Sequence, residues 1–97
     1  MRWVVIFDDS DGMIEHRKQQ GQKHTDYARA NREEILIGGG FREDLEGAFV
    51  GGMWVMEVVS RERAVELIEN DPYYHPVHRK YKLFTWGRIL EDKIVQL

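Results

Sequence analysis

Apolar and polar positions along the chain fall into segments of two different periods. Residues Arg2 to Phe7 (RWVVIF) are mostly β-branched or aromatic and stop at the turn cluster Asp8-Asp9-Ser10-Asp11-Gly12, which predicts a strand followed by a loop. From about Met13 to Arg32 there is no proline, and Arg, Lys, Gln, Glu and Ala dominate. The spacing Met13, Arg17, Gln20, His24, Tyr27, Ala28, Asn31 gives that segment one helical face. Gly21 weakens its middle by about 1 kcal/mol relative to alanine. Glu34 to Ile37 predicts a second strand ended by Gly38-Gly39-Gly40, and the polar stretch FREDLEGAF predicts a loop. A third strand is expected within Val50 to Val59. Ser60 is placed to cap a second helix whose stripe is Ala64, Val65, Leu67 and Ile68. Asn70-Asp71-Pro72 ends that helix, Tyr81 to Trp86 reads as a fourth strand, and the tail Gly87 to Leu97 offers a short edge strand.

The predicted order, βαββαβ, is the ferredoxin-like α+β arrangement with an antiparallel sheet. Both of its helices cover one face of the sheet, so the other face should turn polar if it meets water. Here it stays apolar. Trp3, Val5 and Phe7 point one way while Val4 and Ile6 point the other, and Met53 and Val55 oppose Trp54, Met56 and Val58. One layer of helices leaves an apolar face to cover. The expected cover is the same face of a second copy, giving a homodimer built as a dimeric α+β barrel.

Composition narrows the classes of function. At 97 residues, with no linker, repeat or low-complexity tract, residues 1–97 are expected to form a single domain. There is no cysteine, which removes disulfides, thiolate metal sites and a cysteine nucleophile. The formal net charge of −3 and the mixing of bases among acids argue against nucleic acid as a partner. No apolar run approaches the roughly 20 residues that span a bilayer, and the short apolar start lacks a cleavage site, so a cytoplasmic protein without membrane contact is expected.

Few residues carry candidate chemistry. His24 lies on the inward helical face, where an imidazole can take or give a proton if a carboxylate fixes its other nitrogen. A lone half-buried histidine is equally a core-edge group bonded to backbone. Asp71 precedes Pro72 and reads as the cap of a short turn, which leaves one oxygen free to hold an imidazole. His75 and His78 are three apart, but Pro76 lies between them and no carboxylate has ligand spacing, so no metal site is expected. Asp9-Ser10-Asp11-Gly12 fails as a calcium loop, because the first ligand position would be Phe7 and the twelfth Lys18. The three glycines lack the lysine and hydroxyl of a phosphate loop. They predict a bulge or close backbone approach, with room for a ligand beside Gly39. Tyr73 and Trp86 are the aromatics expected nearest a pocket.

The opening strand WVVIFDD, the histidine of QKHTDYARA, the glycines after the second strand, the GGMWVMEV start of the third, and Asn70-Asp71-Pro72-Tyr73 before an aromatic strand ending in Trp86 follow one another in an order that resembles the YCII family. The likeness runs from the first strand to WGRI. It implies a His–Asp pair at an active site, His24 with Asp71, in small dimeric α+β barrels. One relative type is similar to a dehydrochlorinase or lactone isomerase of aromatic degradation. The chain departs from the pattern at Gly21, where many members have arginine, and at Thr25, where an aliphatic residue is usual. Arg17, a turn earlier, is the candidate to take that arginine's place.

Two functions are therefore expected. One is an enzyme of small organic molecules, in which His24 and Asp71 transfer protons in an isomerisation or elimination without a cofactor, and Arg17, Gly39, Tyr73 and Trp86 contact the substrate. The alternative is a non-catalytic ligand-binding or accessory module on the same scaffold.

Overall fold

The computed structural model describes residues 1–96. The strands and helices follow in the predicted order: β1 (Arg2–Asp9), α1 (Gly12–Ala30), β2 (Ile35–Phe41), β3 (Gly51–Glu57), α2 (Arg61–Asn70) and β4 (Arg79–Thr85). The sheet has the order β2-β3-β1-β4, and every neighbouring pair is antiparallel. This is the ferredoxin-like α+β fold.

The alternation read from β1 and β3 sets the two faces. Val5 and Phe7 of β1 and Trp54 and Met56 of β3 are buried in one cluster with Ala64, Leu67 and Ile68 of α2. On the opposite face Val4 and Val55 are buried, while Ile6, Phe84 and Trp86 remain exposed. The inward face of α1 is the one its period predicted, but among the described residues only Met13 of that helix is fully buried. Most of its other inward positions carry polar groups, so α1 adds no residue to the buried core that α2 shares with the sheet, and a cleft lies between α1 and the sheet. The Tyr27 hydroxyl donates to the carbonyl of Leu67 at 2.7 Å and ties the two helices together. Ser60 caps α2 as expected, its hydroxyl accepting from the Arg63 N–H at 3.1 Å.

Several boundaries differ from the sequence reading. The first strand does not stop at Phe7: it runs on through Asp8 to Asp9, which pair with Lys80 and Arg79 of β4. The second strand does not end at Gly38: its ladder continues through Gly38-Gly39-Gly40 to Phe41, with Gly40 opposite Gly52 and Phe41 opposite Gly51. Backbone pairing needs no side chain, and no glycine has a positive φ. The bulge falls earlier, between Ile35 and Ile37. What the glycines provide is close approach, since a Cβ on Gly52 would lie 2.6 Å from the Gly39 carbonyl oxygen. β4 starts at Arg79, two residues before the aromatic run, because Arg79 pairs with Asp9 across the sheet. The expected edge strand in the tail is not formed by residues 87–96, and its last residue, Leu97, lies outside the described residues.

Candidate active site

The cleft between α1 and the sheet has a volume of about 230 Å³ and is lined among others by Phe7, Arg17, His24, Gly38, Tyr73 and Arg79. Its sheet-side wall combines the rings of Phe7 and Trp54 and the side chain of Ile35 with the glycine stretch of β2. Gly38 and Gly40 stand opposite Trp54 and Gly52 in the ladder, on the helix-covered face, and neither adds a side chain there. A Cβ on Gly38 would meet the Trp54 ring at 2.8 Å.

His24 and Asp71, 47 positions apart, meet at this cleft. The imidazole Nδ1 lies 2.7 Å from Asp71 Oδ1. The side chain of His24 is 22% exposed and that of Asp71 is 1% exposed, so the ring faces the cleft with its carboxylate behind it. An ionised carboxylate only accepts, which assigns the Nδ1 proton to this bond and leaves Nε2 as the basic nitrogen of the neutral ring. The local chain explains Asp71's position. It follows the last residue of α2, and its Oδ1 also accepts the N–H of Tyr73 at 3.1 Å. One oxygen therefore both caps the turn and holds the imidazole, while buried Oδ2 has no partner among the described residues. The Tyr73 ring lies flat on His24, with centroids 3.7 Å apart and planes 7° from parallel.

A second buried carboxylate lies at the other end of the cleft. Asp9, at the end of β1, accepts from Arg79 Nε at 2.8 Å and Arg79 Nη2 at 2.9 Å, and from Arg17 Nη2 at 2.9 Å. Arg17 Nη2 also reaches the Gly51 carbonyl at 3.0 Å. Burial pushes the Asp9 carboxyl up, but the hydrogen bonds and charges of Arg79 and Arg17 outweigh it and hold the group below its ordinary value. Both guanidinium groups also approach the Tyr73 ring, Arg17 at 5.2 Å and Arg79 at 5.7 Å from its centroid.

Of the residues singled out in the sequence, His24, Asp71, Arg17 and Tyr73 converge here. Gly39 lines the cleft only with its backbone, because it stands opposite Met53, on the other face of the sheet from Gly38 and Gly40. Trp86 is not at the cleft. It is 53% exposed and lines a separate hollow with Val4, Met53 and Phe84. Parity is the reason: Arg79 and Tyr81 take the helix-covered face of β4, so the even-numbered Phe84 and Trp86 take the other. Asp9 and Arg79 were not anticipated. The signal for Asp9 was its parity with Trp3, Val5 and Phe7, which continues the buried face into the acidic turn. The rings of His75 and His78 lie 4.6 Å apart, tilted by 39°, and the His16 ring meets that of His75 edge-on at 5.3 Å. No group of three or more His, Cys, Asp or Glu among the described residues could hold a metal ion.

The fold and this site define a ferredoxin-like α+β domain with an imidazole–carboxylate pair in the cleft between its first helix and its sheet. The sequence model of the YCII-related domain matches residues 1–87, and the chain belongs to that family. No curated protein matches the sequence. Among solved structures, it is similar to 5-chloro-2-hydroxyhydroquinone dehydrochlorinase (TftG) from Burkholderia phenoliruptrix AC1100, in complex with 2,5-dihydroxybenzoquinone. The TM-score is 0.78 and the identity 21%, over 90% of this chain and 94% of that one. At this identity the likeness is one of fold.

Proposed function

We propose that the chain is an enzyme that moves protons on a small, planar organic molecule, with His24 as general base and acid and Asp71 as the residue that positions it. The observation that carries this is the 2.7 Å contact between His24 Nδ1 and a fully buried carboxylate, which leaves Nε2 for a ligand in the cleft. The small cleft, walled by the rings of Phe7, Trp54 and Tyr73 and by glycine backbone, suits a small conjugated molecule. The similar fold of a dehydrochlorinase captured with a quinone supports the same class. In an elimination, Nε2 takes a proton, and the electron pair left on the substrate expels the leaving group from the neighbouring carbon. In an isomerisation, the same proton returns at another carbon.

The test uses 5-chloro-2-hydroxyhydroquinone and related halogenated or hydroxylated rings as probes, with chloride release and ultraviolet absorbance as readouts. Turnover by the native protein, lost by about a hundredfold or more in a folded His24→Ala variant, is the expected result. Equal turnover by the two would remove the reading.

We further propose that the chain works as a homodimer through the helix-free sheet face, where Ile6, Phe84 and Trp86 stand exposed beside buried Val4 and Val55. Sedimentation of a dimer at micromolar concentration, converted to a monomer by Ile6→Lys, is the expected behaviour.

A further inference from the structure

We propose that Arg17 and Arg79, bridged by Asp9, form an oxyanion-binding end of the cleft, so that its ligand carries or acquires a negative oxygen: a carboxylate, an enolate or a phenolate on a planar skeleton. This rests on the proton-transfer reading of His24 and adds the class of group that lies opposite it.

Three observations carry the proposal. The first is charge. The ionisable side chains lining the cleft include two guanidinium groups and an imidazole but no carboxylate. The two nearby acids lie behind them, with side-chain exposures of 0% for Asp9 and 1% for Asp71. Asp9 answers one of the two arginine charges, and Asp71 is bonded to His24. The second is unused donors. The bonds to Asp9 and Gly51 occupy Nε and Nη2 of Arg79 and only Nη2 of Arg17. Neither Nη1 group donates to a protein acceptor among the described residues, and Arg17 Nε is buried with no partner there. A buried donor left unpaired is costly, and the Nη1 groups, which are not among the buried unpaired atoms, can turn to a ligand. The third is shared lining. His24, Arg17 and Arg79 all line the same cleft of about 230 Å³, each packed against the Tyr73 ring, so one small molecule there meets all three.

A cross-strand tie between β1 and β4 would need only Arg79 and Asp9, which face each other in the ladder. Arg17 comes from α1 and adds a second cation to a carboxylate already bonded in bidentate fashion. The chemistry is consistent with the proton step. When His24 Nε2 takes a proton from carbon or oxygen, the electron pair left behind delocalises onto an oxygen. Guanidinium donors fixed in advance stabilise that charge without reorganising. In an elimination the pair then returns to form the double bond as the leaving group departs with its own electrons.

The experiment compares benzoate with benzamide, a neutral probe of the same shape, by following the arginine Nε–Hε signals of the native protein in NMR. Benzoate should shift the signals of Arg17 and Arg79 saturably and bind roughly tenfold or more tighter than benzamide, as expected for a charged hydrogen bond. Arg17→Gln and Arg79→Lys should each reduce that preference by about tenfold. Equal binding of the two probes, or millimolar benzoate that leaves both arginine signals unmoved, would overturn the proposal. The native comparison needs no variant to fold. Benzoate binding that persists in His24→Ala keeps the anion site separate from the base. Unchanged turnover in that variant would therefore remove the proton-transfer reading and leave the oxyanion site standing.

Discussion

Two carboxylates are buried along one cleft, and they are treated in opposite ways. Asp9 accepts three charged hydrogen bonds from two arginines. Asp71 accepts one bond from an imidazole and one from a backbone N–H, both on the same oxygen, and its other oxygen has no partner among the described residues. Arginine does not release its proton in a protein, so Asp9 sits in a fixed field and remains an anion. Histidine does release its proton, so the charge beside Asp71 can change. One end of the cleft is suited to hold charge and the other to move it.

The largest effect that would break this contrast is expected from Asp9→Asn. It keeps the shape but leaves two guanidinium groups facing each other without their counter-ion. Removing one partner of a buried ion pair costs about 3–5 kcal/mol, a large share of the stability of a domain this size. Chemical denaturation should show it as a lower midpoint. The pH dependence follows with a definite sign. The folded Asp9 is held below the ordinary carboxylate value of 3.8. Its contribution is therefore complete above that value and is lost as pH falls through the lower, folded one. The native protein should lose stability below about pH 4, and Asp9→Asn should flatten that limb of the curve.

Asp71→Asn should do the reverse, sparing the fold and removing the chemistry. An amide still offers an oxygen to the Tyr73 N–H. A change within about 1 kcal/mol is expected, because the amide oxygen that accepts from Tyr73 can also accept from His24 Nδ1. Turnover should fall by about a hundredfold, since a neutral amide no longer stabilises the imidazolium formed when Nε2 takes a proton. Ring ¹⁵N shifts of His24 check that the geometry is kept, with the proton on Nδ1 in both the native protein and the variant. A large stability loss with turnover intact would place Asp71 with Asp9 as a structural group.

Tyr73 touches both ends, with His24 stacked on its ring and both arginines beside it. Tyr73→Leu should cost about 0.5–1.5 kcal/mol for the lost stack. It should weaken benzoate binding and broaden the His24 ring signals together. A change at one end alone would show that the ring does not couple them.

Half of this contrast was legible in the sequence. The period of α1 placed Arg17, His24, Tyr27 and Ala28 on one face, because a long helix without proline declares its period whatever it packs against. The alternation in β1 and β3 gave the two faces, since both are apolar enough to read. Asp71 could be paired with His24 only through the resemblance, as no local rule joins positions so far apart. Asp9 and Arg79 were hidden for a different reason. Asp9 sits within Asp8-Asp9-Ser10-Asp11-Gly12, which reads as a turn by composition, and its partners come from 8 and 70 positions away. The parity of β1 would have drawn Asp9 into the buried face, and counting from there along β4 would have put Trp86 on the opposite side. Gly38-Gly39-Gly40 misled in the same way, because propensity measures side chains and the ladder through these residues is made by backbone.

Those glycines give the smallest expected effect and a control for everything above. Gly39 has no positive φ, and a Cβ added there meets nothing within 4 Å. Gly39→Ala should therefore be neutral, or stabilising by about 0.4–1 kcal/mol through the lower entropy of the unfolded chain. Because Gly39 stands opposite Met53, the new methyl group lies on the helix-free face. Benzoate binding and the His24 tautomer should not change, whereas sedimentation would register any loss of the proposed homodimer. The contrast with Gly52→Ala, whose Cβ would lie 2.6 Å from the Gly39 carbonyl oxygen, is a contrast of direction. That methyl group must push β2 and β3 apart and should lower the melting temperature, although the two glycines are close neighbours in the ladder. If Gly39→Ala instead disturbed the cleft while sedimentation stayed the same, the face assigned to Gly39 by the register would be the wrong one, and with it the placement of Gly38 and Gly40 on the cleft side.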